Sequence, residues 1–129
     1  MAFVRVGAVP DLGAAWMLPR LVGPHKAREW MMLGDVVTAD EAHRLGAVNR
    51  LAAPEAVLTE ARAIAAKLAA GPRRALGMMK QMVNCYGTMP LAAALDHEAD
   101  AQARAFTTED FREGVAAFKE KRPARFGGT

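Results

Sequence analysis

A mostly α-helical chain with a short β segment at its N-terminus is what the sequence predicts, and three observations carry that prediction. Apolar residues recur at helical spacing in three separate stretches: Val57, Ala61, Ile64 and Leu68; Leu76, Met79, Val83 and Tyr86; Phe111, Val115 and Phe118. Hydrophobic residues make up 52% of the 129 positions while aromatics supply only 6%, so alanine dominates the apolar share and close helix packing through small side chains follows. One β-branched apolar run, Ala2 to Val9, has Arg5 as its only charge and stops at Pro10, which reads as a strand end.

Each later element has its own punctuation. Asp11 precedes Leu12 to Leu18, a helix for which it is placed to act as N-cap, and Pro19 and Gly23-Pro24 cut the chain into short pieces. A helix over His25 to Leu33 ends at Gly34. Thr38-Ala39-Asp40-Glu41 has capping-box spacing, in which the threonine hydroxyl serves the Glu41 amide and the glutamate reaches back. That helix stops at Gly46, and Ala47 to Leu51 reads as a short extended segment. Pro54-Glu55 opens a longer helix that Gly71-Pro72 ends; Pro90 starts the helix with Leu91, Leu95 and Phe106; Thr107 or Thr108 caps the last one. Pro123 to Thr129 is an irregular tail. A lone strand cannot satisfy its own backbone groups, so the chain reads as the second half of a larger fold.

Composition narrows the function. The formal net charge of +3 suits an anionic ligand, but Lys and Arg are dispersed rather than gathered into a stripe, which argues against a helical nucleic-acid-binding domain. The single cysteine, Cys85, excludes an internal disulfide and fits a reducing compartment. No apolar run reaches membrane-spanning length, and the first residues lack the features of a signal peptide. A soluble cytoplasmic protein is expected.

Few side chains suggest chemistry. Asp11 sits between a proline and a glycine-alanine stretch with almost nothing polar nearby; it is either a helix cap or a catalytic carboxylate in a dry pocket, and one carboxylate can do both. Trp16 and Met17 are either core or pocket lining. Met31-Met32 and Met78-Met79 read as core gap-fillers. His25, His43 and His97 stand apart without metal-site spacing, and Cys85 has no nearby base.

Four stretches, in order, resemble the enoyl-CoA hydratase/isomerase (crotonase) superfamily, C-terminal half only. They are Gly7-Ala8-Val9-Pro10-Asp11-Leu12-Gly13 leading to Leu18-Pro19-Arg20-Leu21-Val22-Gly23, and Glu41-Ala42 with Gly46-Ala47-Val48-Asn49. The third is Ala69-Ala70-Gly71-Pro72 with Ala75-Leu76 and Lys80. The fourth runs from Phe106-Thr107 and Asp110 through Arg112-Glu113-Gly114-Val115-Ala116-Ala117-Phe118 to Glu120-Lys121-Arg122-Pro123 and Phe126. The resemblance spans essentially all 129 residues.

It implies the C-terminal half of an α/β spiral fold, incomplete without an upstream half that holds most strands and the glycine-rich oxyanion-hole segments. Residues 1–23 would end the spiral core with the catalytic-carboxylate turn; residues 24–129 would form a helical region for trimerisation and coenzyme A contact. Reactions of this family pass through a thioester enolate, stabilised by two backbone amides, with one or two carboxylates moving protons. Phe3 stands where hydratases have one of two glutamates, whereas Asp11 falls where isomerases and dehalogenases carry their acid. The resemblance therefore implies an acyl-CoA isomerase-like enzyme with Asp11 as acid/base. The alternatives are an enoyl-CoA hydratase-like enzyme, or an inactive truncated fragment or assembly module. Ala14 stands where relatives usually have a second glycine. Leu12 and Trp16 would line the acyl pocket. Phe118 and Lys121 would hold the nucleotide of coenzyme A; otherwise they are a core ring and a solvated charge. Arg122 and Arg125 would add positive charge there. No tightly bound cofactor and no metal are expected, coenzyme A being part of the acyl-CoA thioester substrate. The expected assembly is a homotrimer or hexamer, with no nucleic-acid or membrane partner.

Overall fold

A computed structural model describes residues 2–128, and among them the secondary structure is helical throughout. The expected N-terminal strand is instead a turn of 3-10 helix, Phe3–Val6. Its bonds are local: the Arg5 N–H donates to the Ala2 carbonyl at 3.0 Å, Gly7 to Val4 at 3.1 Å and Ala8 to Phe3 at 3.0 Å. Among the described residues there is no second strand to complete a ladder, and short-range bonds satisfy the backbone that a solitary strand would leave open. Gly7, at φ 70°, ends the turn. The extended segment expected over Ala47 to Leu51 is likewise absent; bends follow the preceding helix, and the Ala47 N–H bonds the Ala42 carbonyl at 2.8 Å.

The described residues divide into two compact units, one running to Val57 and one starting at Leu58. The first holds α1 (Ala14–Val22), α2 (Pro24–Leu33) and α3 (Ala39–Arg44). Gly23, at φ 80°, is both the C-cap of α1 and the N-cap of α2, a conformation that glycine adopts without a Cβ penalty, and Pro24 fills the first helical position. The core of this unit is Ala27, fully buried, and Trp30, 6% exposed. Half of the expected capping box forms. The Thr38 hydroxyl accepts the Glu41 N–H at 3.2 Å, but the Glu41 carboxylate turns to Lys26, 3.6 Å away. Lys26 also bonds Glu29 at 2.8 Å, and these two carboxylates, Glu29 foremost, hold its pKa above the usual lysine value.

The second unit holds α4 (Val57–Ala69, whose first residue closes the first unit), α5 (Arg73–Tyr86), α6 (Leu91–Phe106) and α7 (Glu109–Glu120). Small residues make its contacts: Ala94, Ala101 and Ala117 are buried, while Leu91, Leu95 and Val83 are exposed. The apolar faces read from periodicity are therefore only partly the packed faces. On α5 the half-buried side chains are Ala75, Leu76, Met78, Met82, Cys85 and Tyr86, and Met79 and Val83 point to solvent. Alanine contacts bring helices close and let large neighbours fall outside, which a hydrophobic repeat alone does not reveal. The face of α4 that carries Val57, Ile64 and Leu68 is exposed. Among the described residues no helix is long and apolar enough to cross a membrane.

Candidate active-site turn and apolar groove

Asp11 lies in the loop between the 3-10 turn and α1, and it is exposed. It is not the N-cap. Gly13, at φ 77°, occupies that position, and no side chain caps α1. Leu12, also left-handed at φ 50°, turns the chain so that the Asp11 contribution is its carbonyl, which accepts the Ala14 N–H at 2.9 Å. The carboxylate has no hydrogen-bond partner among the described residues. Its neighbours are apolar and uncovered: Leu12 is 94% exposed, and Val9 and Trp16 also face solvent. The Arg20 guanidinium lies 3.7 Å over the Trp16 ring and donates to the Trp16 carbonyl at 2.7 Å, which fixes that ring's orientation on α1. Asp11, Leu12 and Trp16 are thus gathered within one turn of chain in the first unit. Phe118 and Lys121 belong to the second unit.

There, an open groove of about 420 Å³ runs beside α7. Phe111, Val115, Phe118 and Phe126 form its apolar walls, with Lys119 and Arg74 at its edge. Phe118 is 85% exposed and presents a ring to the groove. Lys121 is not on the helical face with it. The helix ends at Glu120, and Lys121 adopts a left-handed conformation (φ 53°) as C-cap, so the expected three-residue spacing along one face does not apply. Lys119 is the lysine that borders the groove.

Sequence reasoning gave no role to Asp110 or Glu113 beyond membership of the resemblance. Asp110 is 4% exposed, and one of its oxygens accepts the Gly127 N–H at 2.7 Å. The Gly128 N–H donates to both oxygens at 3.0 Å. Glu113 takes the Arg122 guanidinium at 2.6 and 3.0 Å and the Arg125 backbone N–H at 2.7 Å. These bonds, that of Arg122 foremost, push the Glu113 carboxyl down to about 2. Arg122 also bonds Glu120 at 2.6 Å, so its charge is neutralised rather than offered to a phosphate. The sequence signal that could have found this tail is the carboxylate pair three apart on α7, facing an arginine and glycines downstream.

The remaining polar residues do not converge. His43 Nδ1 lies 3.1 Å from the Val48 carbonyl, and His97 meets Tyr86 edge to face at a 5.8 Å ring separation. Burial, with Glu98 next in effect, raises the Tyr86 pKa. Cys85 is a half-buried free thiol. Among the described residues no three potential ligands cluster to hold a metal ion.

The chain belongs to the enoyl-CoA hydratase/isomerase family, whose pattern it matches over residues 1–129. It is 38% identical over 128 residues to the 1,2-epoxyphenylacetyl-CoA isomerase of Escherichia coli K12, covering 99% of this chain and 49% of that protein. It is 39% identical over 123 residues to the crotonyl-CoA hydratase of Syntrophomonas wolfei, covering 95% and 47%. A solved enoyl-CoA hydratase from Polaromonas sp. JS666 superposes with a TM-score of 0.93 at 33% identity, over 98% of this chain and 49% of that one. The chain spans about half the length of the curated relatives it matches.

Proposed function

We propose that this chain carries the proton-transfer half of an acyl-CoA isomerase, with Asp11 as the acid/base. The carrying observation is the unpartnered Asp11 carboxylate at the head of α1, flanked by uncovered apolar side chains. The isomerase among the relatives, together with Phe3 where a hydratase would place a second carboxylate, favours isomerisation over hydration. In the proposed reaction a β,γ-unsaturated acyl-CoA loses its α-proton to Asp11. The electron pair moves onto the thioester oxygen to give a dienolate, and Asp11 returns the same proton at the γ-carbon. The double bond is then conjugated, and neither water nor a redox partner is consumed.

One carboxylate suffices because it is regenerated within each turnover. The oxyanion needs two preorganised amide donors, which the family resemblance puts in an upstream half. The proposed substrate contacts are Leu12 and Trp16 at the acyl chain and Phe118 and Lys121 at the nucleotide. A homotrimer or hexamer in the cytoplasm is the assembly and location that fit this reading. Hydration is the second reading, favoured by the crotonyl-CoA hydratase among the relatives.

The test is conversion of a β,γ-unsaturated acyl-CoA, followed by the absorbance of the conjugated product, in the native protein and in Asp11→Asn. Loss of turnover by a factor of about 10² to 10⁴ is expected for a single proton-transfer group. Unchanged turnover in the variant would remove Asp11 from the mechanism.

A further inference from the structure

The tail after α7 is irregular in sequence and structure, yet it is tied down at every other step. Asp110 and Glu113 lie three residues apart, one turn of α7, and so share a face. Asp110 receives the amides of Gly127 and Gly128, Glu113 receives the amide of Arg125, and the Arg73 side chain donates to the Gly127 carbonyl at 3.2 Å. Gly128 adopts φ +76°, and a Cβ there would clash with the Arg73 guanidinium. Between these ties Phe126 packs 3.6 Å from where a Gly114 Cβ would stand, and its ring forms one wall of the groove.

The geometry points to a carboxylate clasp: Asp110 and Glu113 are positioning residues that strap the tail along α7 and so set Phe126 as a wall of the groove. A buried carboxylate that receives only backbone amides has no solvent role, and charge-assisted bonds of this kind are roughly twice as strong as neutral ones. Opening the clasp leaves α7 intact, since the helix has its own cap in Thr108, whose hydroxyl accepts the Phe111 N–H at 3.1 Å. The ligand arm of this inference rests on the proposed placement of Phe118, a wall of the groove, at the nucleotide of an acyl-CoA; the strap itself does not.

Amide hydrogen exchange on the full chain tests the strap. In the native protein the amides of Arg125, Gly127 and Gly128 are expected to exchange at least about tenfold slower than in a flexible chain. Asp110→Asn and Gly128→Ala should each release them about tenfold, with the amides of 113–118 unchanged. The control Glu109→Gln removes a first-turn charge without touching the tail and should leave them protected. Tail amides already unprotected in the native protein, or equal loss across α7 in Asp110→Asn, would overturn the clasp. Titration with coenzyme A supplies the second arm. Weaker binding in Asp110→Asn, by about the same factor as the tail is released, supports the positioning role. Unchanged affinity with a released tail would overturn that role. If the native protein binds no coenzyme A, the functional reading fails while exchange still decides the strap.

Discussion

The two ends of the chain treat their carboxylates in opposite ways. Asp11 stands at the head of α1 with its oxygens unclaimed, whereas Asp110 and Glu113, on α7, receive five hydrogen bonds from the tail and Arg122 at 3.0 Å or less within one turn of helix, and Gly128 adds a sixth to the second Asp110 oxygen. A carboxylate saturated by N–H donors is a structural anchor, because protonating it weakens every bond it accepts by removing the charge and puts a hydrogen on one of its oxygens. A carboxylate without partners contributes nothing to the fold and is free to exchange a proton with a ligand. The contrast separates the chemistry proposed for the N-terminal turn from the scaffolding of the C-terminal groove.

The sharpest way to break this contrast is Asp11→Asn. Turnover should fall by about 10² to 10⁴, while thermal unfolding moves by less than about 0.5 kcal/mol, the range of an exposed substitution without partners. A large stability loss would show that Asp11 is an anchor after all. Trp30→Ala should cost about 4 kcal/mol by denaturant titration, since Trp30 is the one large side chain buried in the first unit among the described residues. Asp110→Ala should cost about 2 kcal/mol, because two tail amides lose their acceptor beneath the strap. Thr108→Ala should cost about 1 kcal/mol through loss of the α7 cap. The smallest effect is acid sensitivity of the tail. The Glu113 carboxyl is lowered from 4.5 to about 2, so its folded state binds fewer protons than its unfolded state between those values. Its stabilisation is complete above about pH 4.5 and fades as the pH falls towards 2; protection of the tail amides, corrected for the intrinsic pH dependence of exchange, should fall accordingly across that window, and Glu113→Gln should flatten the fall.

Local chemistry was legible in the chain. Thr38 and Thr108 cap helices and Gly34 ends one, because each of these depends on residues within four positions. The N-terminal segment was not: Val4, Val6 and Val9 favour a strand, but a strand exists only if another pairs with it, and the backbone closed a 3-10 turn instead. Asp11 failed as a cap for a similar reason. Two successive left-handed residues, Leu12 and Gly13, move the helix start beyond it. The pairing of Phe118 with Lys121 assumed a helix one residue longer than the one that forms, and the groove borders Lys119 instead.

Family membership, the mostly helical class and the threonine caps of α3 and α7 were legible in the order of residues alone, since each is a matter of identity or of spacing within a helical turn. Which helix faces pack, which charges are spent on the fold and how the tail lies were decided only by tertiary structure. Asp110 meets Gly127 across 17 residues and Arg73 meets Gly127 across 54, and spacing within a helical turn says nothing about bonds that close loops of that length.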